Sequence, residues 1–145
     1  AESGSQTVTA AGALVQALRA LGATKIGFAS PYVPAINDMA VSFLDKMGIE
    51  TVARSEVDDR LDNTGQGALD PAAVFDLALK ADHEQAEALV LSCTDMRSAE
   101  AVQKLEDTVG KPVICSNQAM LFSALEKLEI DDPIPGFGRL LKGSD

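Results

Sequence analysis

Short apolar segments alternate with amphipathic segments along the whole chain, and this alternation constrains the fold more than any other feature. Residues 88–92, Ala-Leu-Val-Leu-Ser, are the clearest of four candidate strands, because an unbroken apolar run is typical of a strand that is buried on both faces. The other strands are predicted at residues 25–29, 49–57 and 112–115. Strands joined by helices favour right-handed crossovers and a mostly parallel sheet.

Apolar side chains recur at three- and four-residue spacing between these strands, which indicates helices. The predicted helices are residues 8–21, 34–47, 71–79, 95–109 and 118–128. Residues 58–70 are predicted as a long polar loop, and such loops in a compact domain are often functional. The tail from Asp131 is predicted to be irregular. The sequence therefore predicts a single α/β domain over residues 1–145, with three layers: a mostly parallel four-stranded sheet and helices on both of its faces.

The charge balance argues against several kinds of partner. The chain has 22 acidic and 12 basic side chains, a net charge of −10, so nucleic acid and anionic membranes would repel it. No apolar run approaches the roughly 20 residues of a membrane-spanning helix, and the N-terminus lacks the features of a signal peptide. We therefore expect a cytoplasmic protein without nucleic-acid or membrane partners. A small anionic substrate stays possible, because local hydrogen-bond donors overcome a distant, screened field.

The few cysteines and the single histidine limit the chemistry. Cys93 and Cys115 are too few for a disulfide framework and form no metal-binding motif, so we expect no metal. His83 lies in a polar run and is predicted to be a surface residue, which makes a serine–histidine triad improbable. Acid–base work would then come from Cys, Tyr, Asp, Glu or Lys side chains.

Ligands of open parallel sheets bind beyond the carboxyl ends of the strands, and this rule selects the candidate site. Cys93 ends the third strand and is predicted to precede a helix directly, where the helix dipole would stabilise a thiolate. The alternative for Cys93 is the packing role of a small buried residue. Cys115 is predicted inside the fourth strand, as part of the core. The polar candidates at the same edge of the sheet are Ser30, Tyr32, Asn63, Thr94 and Asn117.

Each of these polar residues has two interpretations. The Tyr32 phenol either donates to a carboxylate or lies at the domain boundary with a solvated hydroxyl. Asn63 and Asn117 either bind substrate or hold turns and helix ends. Thr94 is a helix cap, an anion ligand or both, and Ser30 is equally ambiguous. A thiol among uncharged donors suits a carboxylate substrate whose reacting carbon develops negative charge.

These segments resemble the second half of maleate cis-trans isomerases, and also that of arylmalonate decarboxylases and aspartate/glutamate racemases. The matching motifs follow the family order from about Thr7 to Leu141. They are Ser30-Pro31-Tyr32 with Asn37, Asp62-Asn63, Leu91-Ser92-Cys93-Thr94 with Arg97, Gly110-Lys111-Pro112-Val113, Ser116-Asn117-Gln118-Ala119 and Gly138-Arg139-Leu140-Leu141.

The resemblance implies one half of the two-domain racemase-like fold, with a carboxylate substrate held between two similar halves. Cys93 would donate or remove a proton at the reacting carbon, and Tyr32 would hold a substrate carboxylate. Asn63 would orient the substrate, and Thr94 would form part of the carboxylate pocket. The implied activity is a cofactor-independent, cysteine-based conversion of maleate to fumarate. Decarboxylation of a substituted malonate and racemisation of an acidic amino acid are the alternatives within the same fold.

The family's first half has no counterpart in this sequence, although residues 1–9 look like the end of it. We therefore expect the complement to come from a missing first-half domain or from a second chain. Such a chain is predicted to expose an apolar patch and to associate as a homo-oligomer. An inactive fragment that binds carboxylates, or that serves only in dimerisation, is the remaining alternative.

Overall fold

A computed structural model describes residues 6–142 and contains one parallel sheet of four strands. The sheet order is β2-β1-β3-β4, and each neighbouring pair is parallel. The strands are β1 (Lys25–Ala29), β2 (Glu50–Ser55), β3 (Ala88–Leu91) and β4 (Val113–Cys115).

Within the same residues the chain forms six α-helices and a terminal 3-10 helix. They are α1 (Ala10–Ala20), α2 (Pro34–Lys46), α3 (Asn63–Ala68), α4 (Pro71–Leu79), α5 (Ala99–Val109), α6 (Ser116–Lys127) and the 3-10 helix Arg139–Leu141. No helix in this part of the chain is both long and apolar enough to span a bilayer.

Alternating side chains on the strands build two cores, one on each face of the sheet. Ile26 and Phe28 of β1 pack with α1, α2 and α6 on the first face. Leu89 and Leu91 of β3 pack with α4 and α5 on the second face. The predicted α/β class, parallel sheet and three layers are therefore confirmed.

The tail after α6 is irregular up to residue 138, but it is attached firmly to the domain. The buried carboxylate of Glu106 accepts hydrogen bonds from the backbone N–H groups of Arg139 and Val113. The side chain of Gln118 also donates to the carbonyl of Phe137. These contacts join the tail to β4, α5 and α6.

The structure places a helix, α3, inside the segment that was predicted as a loop. Asp62 caps this helix, because its Oδ1 accepts from the backbone N–H of Gly65 at 2.7 Å. Gly65 and Gly67 lower the intrinsic helix propensity of the segment, so its pattern did not indicate a helix. α3 matters for the site because it lies against the loop that follows β3, where Gly67 approaches the carbonyl of Asp95.

Candidate active site

Cys93 lies two residues beyond the end of the central strand β3 and is only 3% exposed. Its thiol donates a hydrogen bond to Oε1 of Gln66 on α3, with a sulfur–oxygen distance of 3.3 Å. The phenol of Tyr32, which follows β1, lies beside the same thiol. Two adjacent parallel strands and the short helix α3 thus bring a thiol, a phenol and an amide together.

The predicted position of Cys93 at a helix N-terminus is wrong. α5 begins at Ala99, and the residues between Cys93 and that helix form bends. Several residues here are of types that are common as helix N-caps. The helix nevertheless begins later in the chain, and the side chain of Met96 is buried in the second core. Cys93 therefore does not directly precede a helix, and Thr94 is not a helix cap.

The turn that carries Tyr32 is held by a buried hydrogen-bond network. The backbone N–H of Tyr32 donates to Ser30 Oγ at 3.2 Å, and its carbonyl accepts from Asn37 Nδ2 at 3.2 Å. The Ser30 hydroxyl donates to Asn37 Oδ1, and Asn37 also donates to the carboxylate of Glu56 at 2.9 Å. Ser30 and Asn37 are both fully buried. The Ser30 hydroxyl is therefore engaged in holding the turn, together with Asn37, to which the sequence analysis gave no role.

Gln66 is a second residue that the sequence analysis did not single out. The residue is 6% exposed, and its Nε2 donates to the backbone carbonyl of Leu61 at 3.1 Å while its Oε1 accepts from Cys93. A lone glutamine in a glycine-containing polar segment gives no periodic signal, so only the folded arrangement identifies it. Its importance comes from its contact with the thiol.

The remaining predicted residues are Asn63 and Thr94, which line clefts, and Asn117, whose side chain is hydrogen-bonded within the domain. Asn63 is the first residue of α3, lines a cleft with Tyr32, and its amide has no hydrogen-bond partner among residues 6–142. Asn117 is already engaged, because its Nδ2 donates to the carbonyl of Thr94 at 3.0 Å and ties α6 to the loop after β3. Thr94 is exposed and lines the same cleft as Cys93.

Two clefts meet at Tyr32 and Ile36, which line both of them. The first has a volume of about 470 Å³ and is lined by Asn63, Gln66 and Arg60, a basic residue that the sequence motifs did not indicate. The second, about 410 Å³, contains Cys93, Thr94 and mostly apolar side chains of α1 and α2. Tyr32, Cys93 and Thr94 are therefore together in one cleft, with Asn63 in the cleft on the other side of Tyr32.

Cys115 has the buried position that the sequence predicted. It ends β4, is fully buried, and its sulfur accepts from the backbone N–H of Gln118 at the start of α6. Burial raises the pKa of its thiol, so Cys115 is suited to packing and capping and not to reaction. Within residues 6–142, no group of three or more His, Cys, Asp or Glu side chains is placed to hold a metal ion.

The environment of Tyr32 gives a pH-dependent prediction. Burial raises the pKa of Tyr32 above its ordinary value of 10.0, and the neighbouring Cys93 thiol and Asp95 carboxylate raise it further. The folded protein therefore keeps the phenol proton at pH values where the unfolded chain releases it. The stability that results is fully present below about pH 10 and is lost as the pH rises beyond that value.

Phenolate absorbance checks this directly, because the chain has one tyrosine and no tryptophan. We expect a titration midpoint above 10 in the folded protein and a return to about 10 in concentrated urea. Circular dichroism at each pH monitors the fold. A native midpoint equal to the one in urea would contradict the buried placement of the phenol.

Comparison with known proteins gives a consistent result. A sequence profile of the arylmalonate decarboxylase family matches residues 1–141. The maleate isomerase of Geobacillus stearothermophilus is 31% identical over 137 residues, which cover 94% of this chain and 54% of that protein. The maleate isomerase of Nocardia farcinica is 34% identical over 145 residues, which cover 98% of this chain and 57% of that protein.

A solved structure shows the same relation in three dimensions. A cysteine-to-serine variant of Nocardia farcinica maleate cis-trans isomerase, with a covalently bound succinylcysteine intermediate, superposes with a TM-score of 0.90 at 31% identity. The match covers 98% of this chain and 59% of that chain, so the present chain spans little more than half the length of these relatives. Because the family profile matches nearly all of its residues, the chain belongs to the arylmalonate decarboxylase family.

Proposed function

We propose that this chain forms one half of a cofactor-independent isomerase that converts maleate to fumarate by cysteine chemistry. The observation that carries the proposal is the Cys93 thiol beside the Tyr32 phenol, at the carboxyl end of the central strand β3. Maleate isomerases are among the similar proteins, and one of them is described with a succinylcysteine intermediate. A succinyl group attached to sulfur is the adduct that results when a thiol adds to the double bond of maleate.

In the proposed site, neutral donors hold the substrate and Cys93 moves a proton. The phenol of Tyr32 and the hydroxyl and N–H of Thr94 bind one carboxylate, while the amide of Asn63 reaches the substrate from the neighbouring cleft. Ser30 and Asn117 support the site by holding the Tyr32 turn and the Thr94 loop. Stabilisation by preorganised donors is needed because the carboxylate gains enediolate character during the reaction.

The reaction balances without a cofactor. A thiolate from the complementary half adds to one alkene carbon, and the electron pair of the double bond moves onto the adjacent carboxylate as an enediolate. The S–H of Cys93 then protonates the second carbon and leaves a thiolate at Cys93. After rotation about the new single bond, Cys93 takes a proton back from that carbon, the carbon–sulfur bond breaks, and fumarate leaves.

The compartment follows from the same chemistry. A cysteine that has to cycle between thiol and thiolate persists where glutathione and thioredoxin keep thiols reduced. We therefore propose a cytoplasmic location.

The proposal is tested with a polypeptide that includes the complementary half. Proton NMR should show maleate decreasing as fumarate accumulates, without added metal or cofactor. If the polypeptide instead releases carbon dioxide from an arylmalonate and leaves maleate unchanged, the family's decarboxylase chemistry is the correct assignment, and this second candidate is favoured by the matching profile. A racemase would instead interconvert the enantiomers of aspartate or glutamate. Saturable binding of maleate with none of these reactions would support a carboxylate-binding role.

We also infer that the complementary half, or a second copy of this chain, covers the apolar side of the cleft. Met39 of α2 is 67% exposed and lines this cleft together with Ile36, which is 37% exposed. Apolar surface of this kind at the mouth of a cleft is typical of an interface. The chain on its own should therefore associate with itself through this helix.

Introducing a charge on this surface tests the inference. Met39→Lys is expected to weaken self-association by at least about tenfold, because the partner would have to bury an unpaired ammonium group. Sedimentation velocity over a concentration series measures the effect. Ser42→Lys is the matched control, since Ser42 is exposed on the same helix but does not line the cleft. A chain that stays monomeric at high concentration contradicts the inference.

A further inference from the structure

We propose that Gln66 is a positioning residue that holds the Cys93 thiol as a proton donor before the substrate arrives. The proposal rests on the function given above, in which Cys93 delivers a proton to the reacting carbon. It concerns a residue that the motifs did not include and that lies on α3, a different element from the one that carries Cys93.

The orientation of the Gln66 amide is fixed by its other end. A backbone carbonyl can only accept a hydrogen bond, so the group that faces the carbonyl of Leu61 at 3.1 Å has to be the Nε2 end of the amide. This leaves Oε1 as the atom that faces the sulfur of Cys93 at 3.3 Å. Since Oε1 carries no hydrogen, the hydrogen in this contact has to come from the thiol.

Burial makes the contact persistent. Gln66 is 6% exposed and Cys93 is 3% exposed, so water competes little for either group. The capping of α3 by Asp62 fixes the backbone from which the Gln66 side chain extends. Breaking the contact would leave a buried amide oxygen without a partner, which is costly.

The contact has a chemical consequence for the reaction. The thiol starts as S–H with its hydrogen directed toward α3, ready to rotate toward the carbon that gains negative charge. After the proton has moved, Oε1 faces a sulfur anion to which it offers no hydrogen, so the arrangement favours return of the proton to sulfur. Gln66 would thus support both the delivery and the recovery of the same proton.

Two substitutions change this contact in opposite directions. Gln66→Met keeps a side chain of similar length but removes the acceptor oxygen. Gln66→Glu places a carboxylate, a stronger acceptor, near the thiol. The readout is the S–H stretching band in the infrared spectrum, which moves to lower frequency as the S–H donates a stronger hydrogen bond. A Cys115→Ser background leaves Cys93 as the one thiol in the chain.

The expected result is a shift to higher frequency in Gln66→Met and to lower frequency in Gln66→Glu. Gln85→Met is the control, since Gln85 is exposed and precedes the amino end of β3, whereas Cys93 follows the carboxyl end, and it should leave the band unchanged. Unfolding would move the S–H band in the same direction in both variants, so shifts in opposite directions cannot result from a loss of fold. A band that stays in place in both variants overturns the proposal.

Turnover by the polypeptide with its complementary half supplies the second readout. Gln66→Met should lower kcat about tenfold and leave KM nearly unchanged, because it misplaces a proton donor without removing a carboxylate ligand. An unchanged kcat overturns the positioning role. If wild-type protein does not isomerise maleate at all, the proposed function has failed, and the infrared shifts alone decide whether Gln66 orients the thiol.

Discussion

Replacing Cys93 with alanine is expected to lower kcat/KM for maleate isomerisation by about 10³-fold, in the polypeptide that includes the complementary half. Positioned acid–base groups contribute roughly 10²- to 10⁴-fold, and no other thiol in the described structure reaches the cleft. Cys93 is buried against Gln66 and Tyr32, so water is a poor substitute as proton donor there. Initial rates of fumarate formation by NMR measure the change.

Cys115→Ser is the matched control for this substitution. Cys115 is fully buried and caps α6, and serine is a favourable cap residue, so the variant should fold. Its rate per folded molecule should remain close to that of the wild type. If both variants lose activity equally, the loss reflects damage to the fold; if Cys93→Ala retains full activity, the assignment of Cys93 is incorrect.

Gly27→Ala should destabilise the domain strongly, by about 3 kcal/mol. Gly27 lies in the middle of β1, and a Cβ atom there would clash with the backbone carbonyl oxygen of Ala81 and would lie 2.6 Å from the side chain of Leu89. Backbone cannot move aside as a flexible side chain can, so either β1 or the chain after α4 has to shift. Urea unfolding followed by circular dichroism gives the change in the free energy of unfolding.

Gly67→Ala provides the comparison for this prediction. Gly67 lies in α3, and a Cβ atom there meets the carbonyl of Asp95 at an ordinary distance of 3.6 Å. Alanine is the better helix former, so this variant should be more stable than the wild type by about 0.5–1 kcal/mol. Similar unfolding midpoints for the two variants would show that the close approach at Gly27 is relieved at little cost.

The sheet and most helices could be predicted from the sequence because their signals are local. Apolar runs such as Ala88–Leu91 contain no polar side chain and therefore indicate a buried strand. The apolar spacing in residues 34–47 fits only a helix. Ligands of parallel sheets bind beyond the carboxyl ends of the strands, and this rule predicted that Tyr32, Cys93 and Thr94 lie together. They line one cleft, although Tyr32 and Cys93 are far apart in the chain. That rule depends on the topology alone, so it identified the edge of the sheet but not the cleft of Asn63 or the internal hydrogen bonds of Ser30 and Asn117.

The details that the sequence could not predict depend on tertiary contacts. Residues 63–68 have weak helix propensity, and their helix is favoured by the Asp62 cap and by packing on the loop after β3. The start of α5 was predicted too early because burial of Met96 outweighs the nearby cap-type residues. Gln66 was missed for the same reason: its partner, Cys93, lies on a segment that meets α3 only after folding.

Helix α2 contributes to two features at once: the exposed apolar surface and the hydrogen-bond network behind Tyr32. Its outer surface carries the exposed Met39, and its buried Asn37 holds the carbonyl of Tyr32 and the hydroxyl of Ser30. A molecule that binds at Met39 therefore contacts the same helix that holds the turn carrying the Tyr32 phenol. Any coupling through α2 between the proposed carboxylate binding and the proposed subunit contact would act by the same factor in both directions.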